Sequence, residues 1–374
     1  MPAPANNHPI RVCFIAPKAY PLFNPDVKKV FGGAEVDLYF LATELAKDKN
    51  FEVSFVTADY GQQKTEIIQG VKIIKTLTFN ENPLFGAIKI WRGLREADAQ
   101  IYFQEAASWG TFLAALFCRF HKRIFVYRTA SQQECDGTYL KQHYFAGRAF
   151  RWALRNAVKT IAQNEMDKQN IEQTLDVCSI VCPNAQRLPV LSEVQKDVIL
   201  WVGRSAQVKR PELFIELAEK MPDEHFIMIC QRATGDENYD LLPARAGEVK
   251  NMQFIERVPF AEIGCYFQRA KVFVNTSSSE GFPNTFIQAC NYAVPILSLK
   301  VNPDGFLDKY NCGQSCNGWF PKLVDSLKFM LAENNFLKPG KNARRYAEQN
   351  HDINKIVEEY KRLFAGLLLD EREL

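Results

Sequence analysis

Apolar positions along this chain alternate between short continuous runs and longer stretches at helical spacing. Ile10-Arg-Val-Cys-Phe-Ile-Ala16 is a run of the first kind and reads as a buried strand. A loop with three prolines follows, from Pro17 to Phe31. Gly32-Gly33-Ala-Glu then opens a stretch at 36–46 that is apolar at helical spacing, and Phe-Glu-Val-Ser-Phe-Val-Thr at 51–57 is the next strand. Strand, loop, helix, strand is the opening unit of a doubly wound α/β domain. The alternation predicts further strands at 71–77, 100–103, 123–127, 160–162 and 179–182, with a helix at 110–120. Between Pro183 and Lys196, two prolines and polar spacers read as a linker.

The pattern then restarts. Asp197-Val-Ile-Leu-Trp-Val-Gly203 is a strand ending in glycine, and a helix is expected over 210–220. Short strands follow at 225–230, 253–256, 272–275 and 295–299, and a charged amphipathic helix at 353–369 closes the chain. The expected organisation is an N-terminal Rossmann-like domain over 1–185, a C-terminal Rossmann-like domain over 196–350, and a terminal helical segment over 351–374. A length of 374 residues suits two domains of this size.

Composition changes this picture little. Hydrophobic residues at 47% and charged residues at 24% are ordinary for a globular protein, and a net charge of +3 gives no reason to expect nucleic acid. The charge is uneven: residues 1–189 hold 23 Lys/Arg against 18 Asp/Glu. Ten cysteines are present, but Cys13, Cys230 and Cys290 sit in apolar runs as small hydrophobes, and no zinc-like spacing with histidine occurs. Free thiols, no signal-like N-terminus and no apolar stretch of 18 residues together predict a cytoplasmic protein, at most at the inner face of a membrane.

Three segments carry candidate chemistry, and each is built to hold phosphate. Gly32-Gly33 at a helix start lets the backbone approach a ligand beside free N–H groups. Gly203-Arg204-Ser-Ala-Gln-Val-Lys209-Arg210 follows a strand directly, where ligands of α/β sheets bind. Arg204 can fork onto two phosphate oxygens and Lys209 adds a point charge. Ser277-Ser-Ser-Glu280-Gly281-Phe282-Pro283-Asn284-Thr285-Phe286-Ile287-Gln288 follows another strand. Here Gly281 permits a tight turn and Pro283 is expected at the first helical position, leaving Asn284 and Thr285 as backbone donors to an anion. Glu280 and Gln288 stand ready for hydroxyl groups. Each segment also has a plain structural reading: a tight turn, a solvated basic loop, a capped helix.

The order Gly-Gly-Ala-Glu, Gly-Arg…Lys, Glu-Gly-Phe-Pro-Asn, with Val301-Asn-Pro-Asp-Gly305 behind it, resembles family 4 of the retaining glycosyltransferases. The resemblance implies the GT-B fold, two Rossmann-like doubly wound domains facing each other across a cleft. It implies that Arg204 and Lys209 hold the donor diphosphate, joined by Gly33 and by the backbone at Asn284 and Thr285. Gly281 and Phe282 would shape the donor turn, and Glu280 would contact the donor sugar. Gln288 falls where the family's second Glu binds ribose, and Gln231 and Val258 would lie near the base. Arg204, Lys209 and Glu280 would therefore be the catalytic set. The family often carries a histidine near the reacting centre; in the corresponding regions stand Gln104 and Arg128. With Ser131 these are the acceptor-side candidates. No Asp-x-Asp occurs, so no metal and no cofactor is expected beyond the nucleotide sugar itself, UDP- or GDP-linked.

The partner expected on the acceptor side is a glycan or lipid-linked acceptor, in bacterial surface polysaccharide synthesis. From Gly137 to Asn164 there is no acidic residue, while Lys141, Arg148, Arg151, Arg155 and Lys159 interleave with Tyr144, Phe145, Phe150 and Trp152. A peripheral membrane contact through 139–159 is therefore expected. The alternatives on the same fold are a nucleotide-sugar epimerase and an inactive nucleotide-sugar-binding module. The former would need paired acid/base groups around the sugar.

Overall fold

The computed structural model of the protein describes residues 8–233 and 235–370. The chain forms two compact units, one of residues 1–185 with 353–374 and one of residues 186–352. The second begins before the expected 196, because residues after 185 already bond within it: Gln186 N–H donates to the His351 carbonyl at 3.0 Å. Residues 1–7 of the expected first domain and 371–374 of the expected terminal helix lie outside the described residues.

The first unit is an eight-stranded sheet in the order β3-β4-β2-β1-β5-β6-β7-β8. Its strands are β1 (Ile10–Ile15), β2 (Phe51–Thr57), β3 (Thr65–Ile68), β4 (Val71–Lys75), β5 (Ile101–Glu105), β6 (Ile124–Arg128), β7 (Lys159–Ala162) and β8 (Ser179–Val181). All pairings are parallel except β3 against β4. The sequence reading missed β3, whose Thr-Glu-Ile-Ile has no run long enough to signal a strand; it is an edge strand with Ile67 exposed. It also missed the helix Pro83–Ala97, which starts at Asn82, whose side chain accepts from Leu84 N–H at 2.9 Å.

Alternation along β1 decides what packs on each face. Cys13 and Ile15 join a core with the helices Pro83–Ala97, Trp109–His121, Tyr144–Arg155 and Glu165–Leu175. Phe14 turns the other way, against Phe55 and Phe103 with ring centroids 5.8 and 5.5 Å away. The terminal helix Ile353–Asp370 covers that second face: Tyr360 and Phe364 lie 5.8 and 6.1 Å from Phe103, edge-on. Lys361 ties the helix to Asp48 at 2.9 Å.

The second unit is a six-stranded parallel sheet in the order β11-β10-β9-β12-β13-β14. Its strands are β9 (Val198–Arg204), β10 (Phe226–Gln231), β11 (Met252–Ile255), β12 (Ala270–Asn275), β13 (Ile296–Ser298) and β14 (Gly313–Ser315). Helices cover both faces, with the helix Asn284–Asn291 on one and Glu212–Glu219 on the other. The expected helix over 210–220 is shorter because Gln207–Lys209 forms a separate 3-10 turn and Arg210 takes φ 47°.

Truncating Phe364 to alanine removes a fully buried ring from the face of Phe103. Phe364→Ala is expected to lower the stability of the first unit by about 3–5 kcal/mol. Chemical denaturation followed by hydrogen exchange should show the loss in residues 8–185, with exchange in the second unit little changed.

Candidate functional site

In a doubly wound sheet, ligands bind at the carboxyl edge where strand order reverses. In the second unit the reversal falls between β9 and β12, the two central neighbours. Their loops carry the second and third candidate segments, so the topology brings together residues 71 apart in sequence.

The junction is built around Thr276, which is wholly buried. Its hydroxyl accepts from Trp201 Nε1 at 3.0 Å and donates to the Lys209 carbonyl at 2.7 Å. Its own carbonyl accepts from Arg210 Nε at 3.0 Å. Ser278 N–H adds a bond to the Val208 carbonyl at 2.8 Å. The Gly203 position is explained by the same tryptophan: a Cβ there would lie 2.7 Å from the Trp201 ring. That ring is held by Thr276, so it has little freedom to move aside.

On this frame the charged groups meet. Lys209 Nζ bonds the Glu280 carboxylate, and Ser277 Oγ donates to the same Oε1 at 2.7 Å. Both side chains keep part of their surface in solvent, 23% for Lys209 and 13% for Glu280. Arg204 is the last residue of β9, half-buried, and its guanidinium makes no hydrogen bond or ion pair among the described residues. A half-buried cation with no partner among the described residues, at the carboxyl edge that also carries an ion pair, can take an anion.

The helix after the turn differs from expectation in one residue. Pro283 is the cap, with extended ψ of 126°, and Asn284 is the first helical residue. The proline sits one place earlier because its φ of −63° suits either position, while Gly281-Phe282 must first turn the chain. The Phe286 N–H is consequently used on the Pro283 carbonyl at 2.9 Å. Asn284 is held from behind, its carbonyl accepting from Gln186 Nε2 at 3.2 Å. Thr285 and Gln288 are half-buried on the same helix.

Other candidates serve as frame. Phe282 is buried, its ring 5.1 Å from Phe306 and 5.0 Å from His351, so its side chain anchors the turn from the core. Val258 is also buried in that core. Gln231 ends β10, half-buried, paired in register with Arg204. Its carbonyl accepts from Ser205 N–H at 2.9 Å.

The first unit's reversal falls between β1 and β5. Gly33 begins the helix Gly33–Leu45 there, and Glu35 in its first turn accepts from the Gly32 N–H at 2.7 Å. The acceptor-side candidates are placed deeper than the sequence suggested. Arg128 is 2% exposed. Its guanidinium lies 2.8 Å from Glu105 and 3.4 Å from Asp37, and donates to Asn184 at 2.5 Å. Burial opposes the charge on Arg128, and Glu105, Tyr360 and Asp37 outweigh it, so the group stays cationic. Burial likewise pushes the Glu105 carboxyl well up, against the pull of Arg128. The guanidinium expected on the acceptor side is thus enclosed and engaged by three partners of the protein itself, Glu105, Asp37 and Asn184. Gln104 is buried too, its amide against Ser108 Oγ, and turned over it would donate to the Gly110 carbonyl and accept from Thr111 N–H, both at 3.2 Å. Ser131 is half-buried and donates to Glu134 at 3.3 Å.

Sequence reasoning gave Trp201 and Ser277 no role of their own and did not name Thr276; the hydroxyl run Thr276-Ser-Ser-Ser was the signal for Thr276 and Ser277, and Trp201 read as one more apolar strand residue. Among the described residues, no group of three His, Cys, Asp or Glu could hold a metal ion.

Comparison with known proteins identifies the fold. The protein has the GT-B fold. A solved sucrose-phosphate synthase of Thermosynechococcus elongatus superposes with a TM-score of 0.80 at 15% identity, covering 97% of this chain and 100% of that one. Anabaena HepE in complex with UDP-glucose superposes with a TM-score of 0.72 at 13% identity, over 95% and 99% of the two chains. Residues 185–320, which hold both loops of the junction, match the family of glycosyl transferases group 1. An uncharacterized glycosyltransferase of Haemophilus influenzae is 24% identical over 226 residues, 56% of this chain; the match spans 59% of that relative's length.

Replacing Thr276 by valine keeps the shape and removes the shared hydroxyl. The buried Trp201 Nε1 and the Lys209 carbonyl would lose their partner. Thr276→Val is expected to cost about 1–3 kcal/mol in the second unit. Amide exchange over 204–210 should accelerate more than in the rest of the sheet.

Proposed function

We propose that the protein is a retaining glycosyltransferase of family 4, moving a sugar from a nucleotide-diphosphate donor to a glycan or lipid-linked acceptor. The observation that carries the reading is the junction at β9 and β12. Arg204, the Lys209–Glu280 pair and the start of the helix Asn284–Asn291 stand there together, inside the segment that matches the glycosyl transferases of group 1. UDP-linked sugars are the first donors to try, because Anabaena HepE, of the same fold, was solved with UDP-glucose.

In this reading the diphosphate takes the place that Glu280 now holds on Lys209, with Arg204 forking onto the second phosphate. The two cations stabilise the leaving nucleotide as the glycosidic bond breaks. Glu280, released, accepts from hydroxyls of the donor sugar while Ser277 keeps it oriented. Gln288 accepts from ribose through its amide oxygen, and its lack of charge spares the diphosphate a repulsion. Without a side-chain base, a departing phosphate oxygen takes the acceptor's proton, and attack on the same face retains configuration. Lys209 and Arg204 supply the charge that a metal supplies in other transferases. The acceptor belongs to bacterial surface polysaccharide synthesis, reached through a membrane contact at 139–159 by a protein working on the cytoplasmic side.

Incubation with a panel of UDP- and GDP-sugars should release free nucleotide from at least one donor. Release from none would overturn the reading and leave a binding module; a changed sugar still on its nucleotide would mean an epimerase. With the active donor, the double variant Arg204→Ala, Lys209→Ala should lower turnover by about 10³-fold or more, on the scale of lost transition-state donors. Turnover near the wild-type rate would contradict leaving-group stabilisation. Excess chelator should leave the rate unchanged, and a strict Mg²⁺ or Mn²⁺ requirement would contradict a metal-free mechanism.

A further inference from the structure

We infer that the outer face of three adjacent helices in the first unit, Pro83–Ala97, Trp109–His121 and Tyr144–Arg155, is a docking surface for an anionic lipid bilayer. The inference deepens the membrane contact proposed above, extending it from one helix to a face. It is measured without any sugar transfer.

The three helices lie side by side on one face of the sheet, sharing a core beneath. Aromatic contacts stitch their outer sides together. Trp91 of the first lies 6.1 Å from Phe120 of the second, and Phe112 of the second lies 5.2 Å from Trp152 of the third. Along the first helix, Leu84, Ile88 and Trp91 fall at i, i+4 and i+7, one stripe that leads to Phe120. Leu84, Phe85, Phe120, Tyr144 and Phe145 are between 63% and 76% exposed. All five are large side chains with an apolar body, exposed on these neighbouring helices.

Charge decides what covers this face. Residues 83–164 hold 12 Lys/Arg against 5 Asp/Glu. Of these, Arg128, Glu105 and Glu134 are buried, leaving eleven cations against three acids toward the surface. The three acids are occupied: Glu96 by Lys64 at 3.1 Å, Asp98 by Arg123 at 2.7 Å, and Asp136 by the Thr138 N–H at 2.9 Å. Arg92, Arg95, Lys122 and Lys141 have no ion pair among the described residues, and Arg148 stacks over the Tyr144 ring at 5.1 Å. The face ends where Arg155 meets Asp176 at 3.5 Å.

Apolar tips flanked by unpaired cations suit the boundary between headgroups and acyl chains. The rings and Leu84 enter the boundary while the long Arg and Lys side chains reach anionic headgroups. A second copy of the chain would bring eleven further cations against these, so repulsion disfavours self-association here.

The test is co-sedimentation of the full chain with vesicles of phosphatidylcholine alone and of phosphatidylcholine with phosphatidylglycerol. The protein should partition onto the anionic vesicles only, and release as salt rises. Arg92→Ala, Arg95→Ala, Lys141→Ala should weaken partitioning by about 100-fold, from about fivefold per cation. Phe120→Ser, Tyr144→Ser, Phe145→Ser should weaken it by about tenfold or more through lost insertion. Both variants should keep the wild-type unfolding temperature and nucleotide release without vesicles. No partitioning of the wild type, or partitioning that the aromatic variant leaves intact, would overturn the inference. So would a wild-type dimer in solution that the aromatic variant turns into monomer. Failure of nucleotide release with vesicle binding intact would count against the proposed function and leave this surface standing.

Discussion

The hydroxyl of Thr276 is shared between Trp201 Nε1 and the Lys209 carbonyl, and the candidate site depends on that sharing. Parallel strands already bring the loops after β9 and β12 to one edge. They do not set the loops' separation. Thr276 does, from a wholly buried position where a lost partner would be costly. With the Lys209 backbone held there, its side chain meets Glu280. Gly203 lets the strand pass over the fixed indole, and Arg204 ends that strand at the same carboxyl edge.

The Lys209–Glu280 pair has a second consequence. In the proposed reading Lys209 takes a phosphate, and such a cation is exposed to competition from every nearby carboxylate. Here that carboxylate is one the donor sugar would itself engage. Binding would exchange the ion pair for two contacts, lysine with phosphate and the glutamate carboxylate with sugar hydroxyls. Both groups are partly solvated, so the existing pair is a weak obstacle. Arg204 has no such partner among the described residues, so an anion arriving there meets no competing contact from them.

Much of this was legible in the chain. Twelve of the strands follow from apolar runs, because strands of a sheet covered on both faces are nearly continuous in hydrophobicity. The turn after β12 was legible because Glu280-Gly281-Phe282-Pro283 forces a tight reversal into a helix. Its phase was not: proline's φ fits the cap and the first turn alike, so the sequence left one residue of latitude. Edge strand β3 and short strand β14 escaped because neither carries a buried run of its own.

Arg128 shows a different limit. A cation ending a strand reads as a ligand contact when its partners lie 91, 23 and 56 residues away in sequence. Only folding shows that Asp37, Glu105 and Asn184 converge on it. Once enclosed, its five donors suit a hub better than a contact, since a fixed fork can bridge several acceptors at once. The hub joins β5 and β6 to the helix that starts at Gly33, so it bears on where that helix end stands. Thr276 plays the matching part in the second unit. In both sheets the carboxyl edge is set by a buried polar group whose partners come from distant segments, and the groups free to meet a ligand are the ones those partners hold in place.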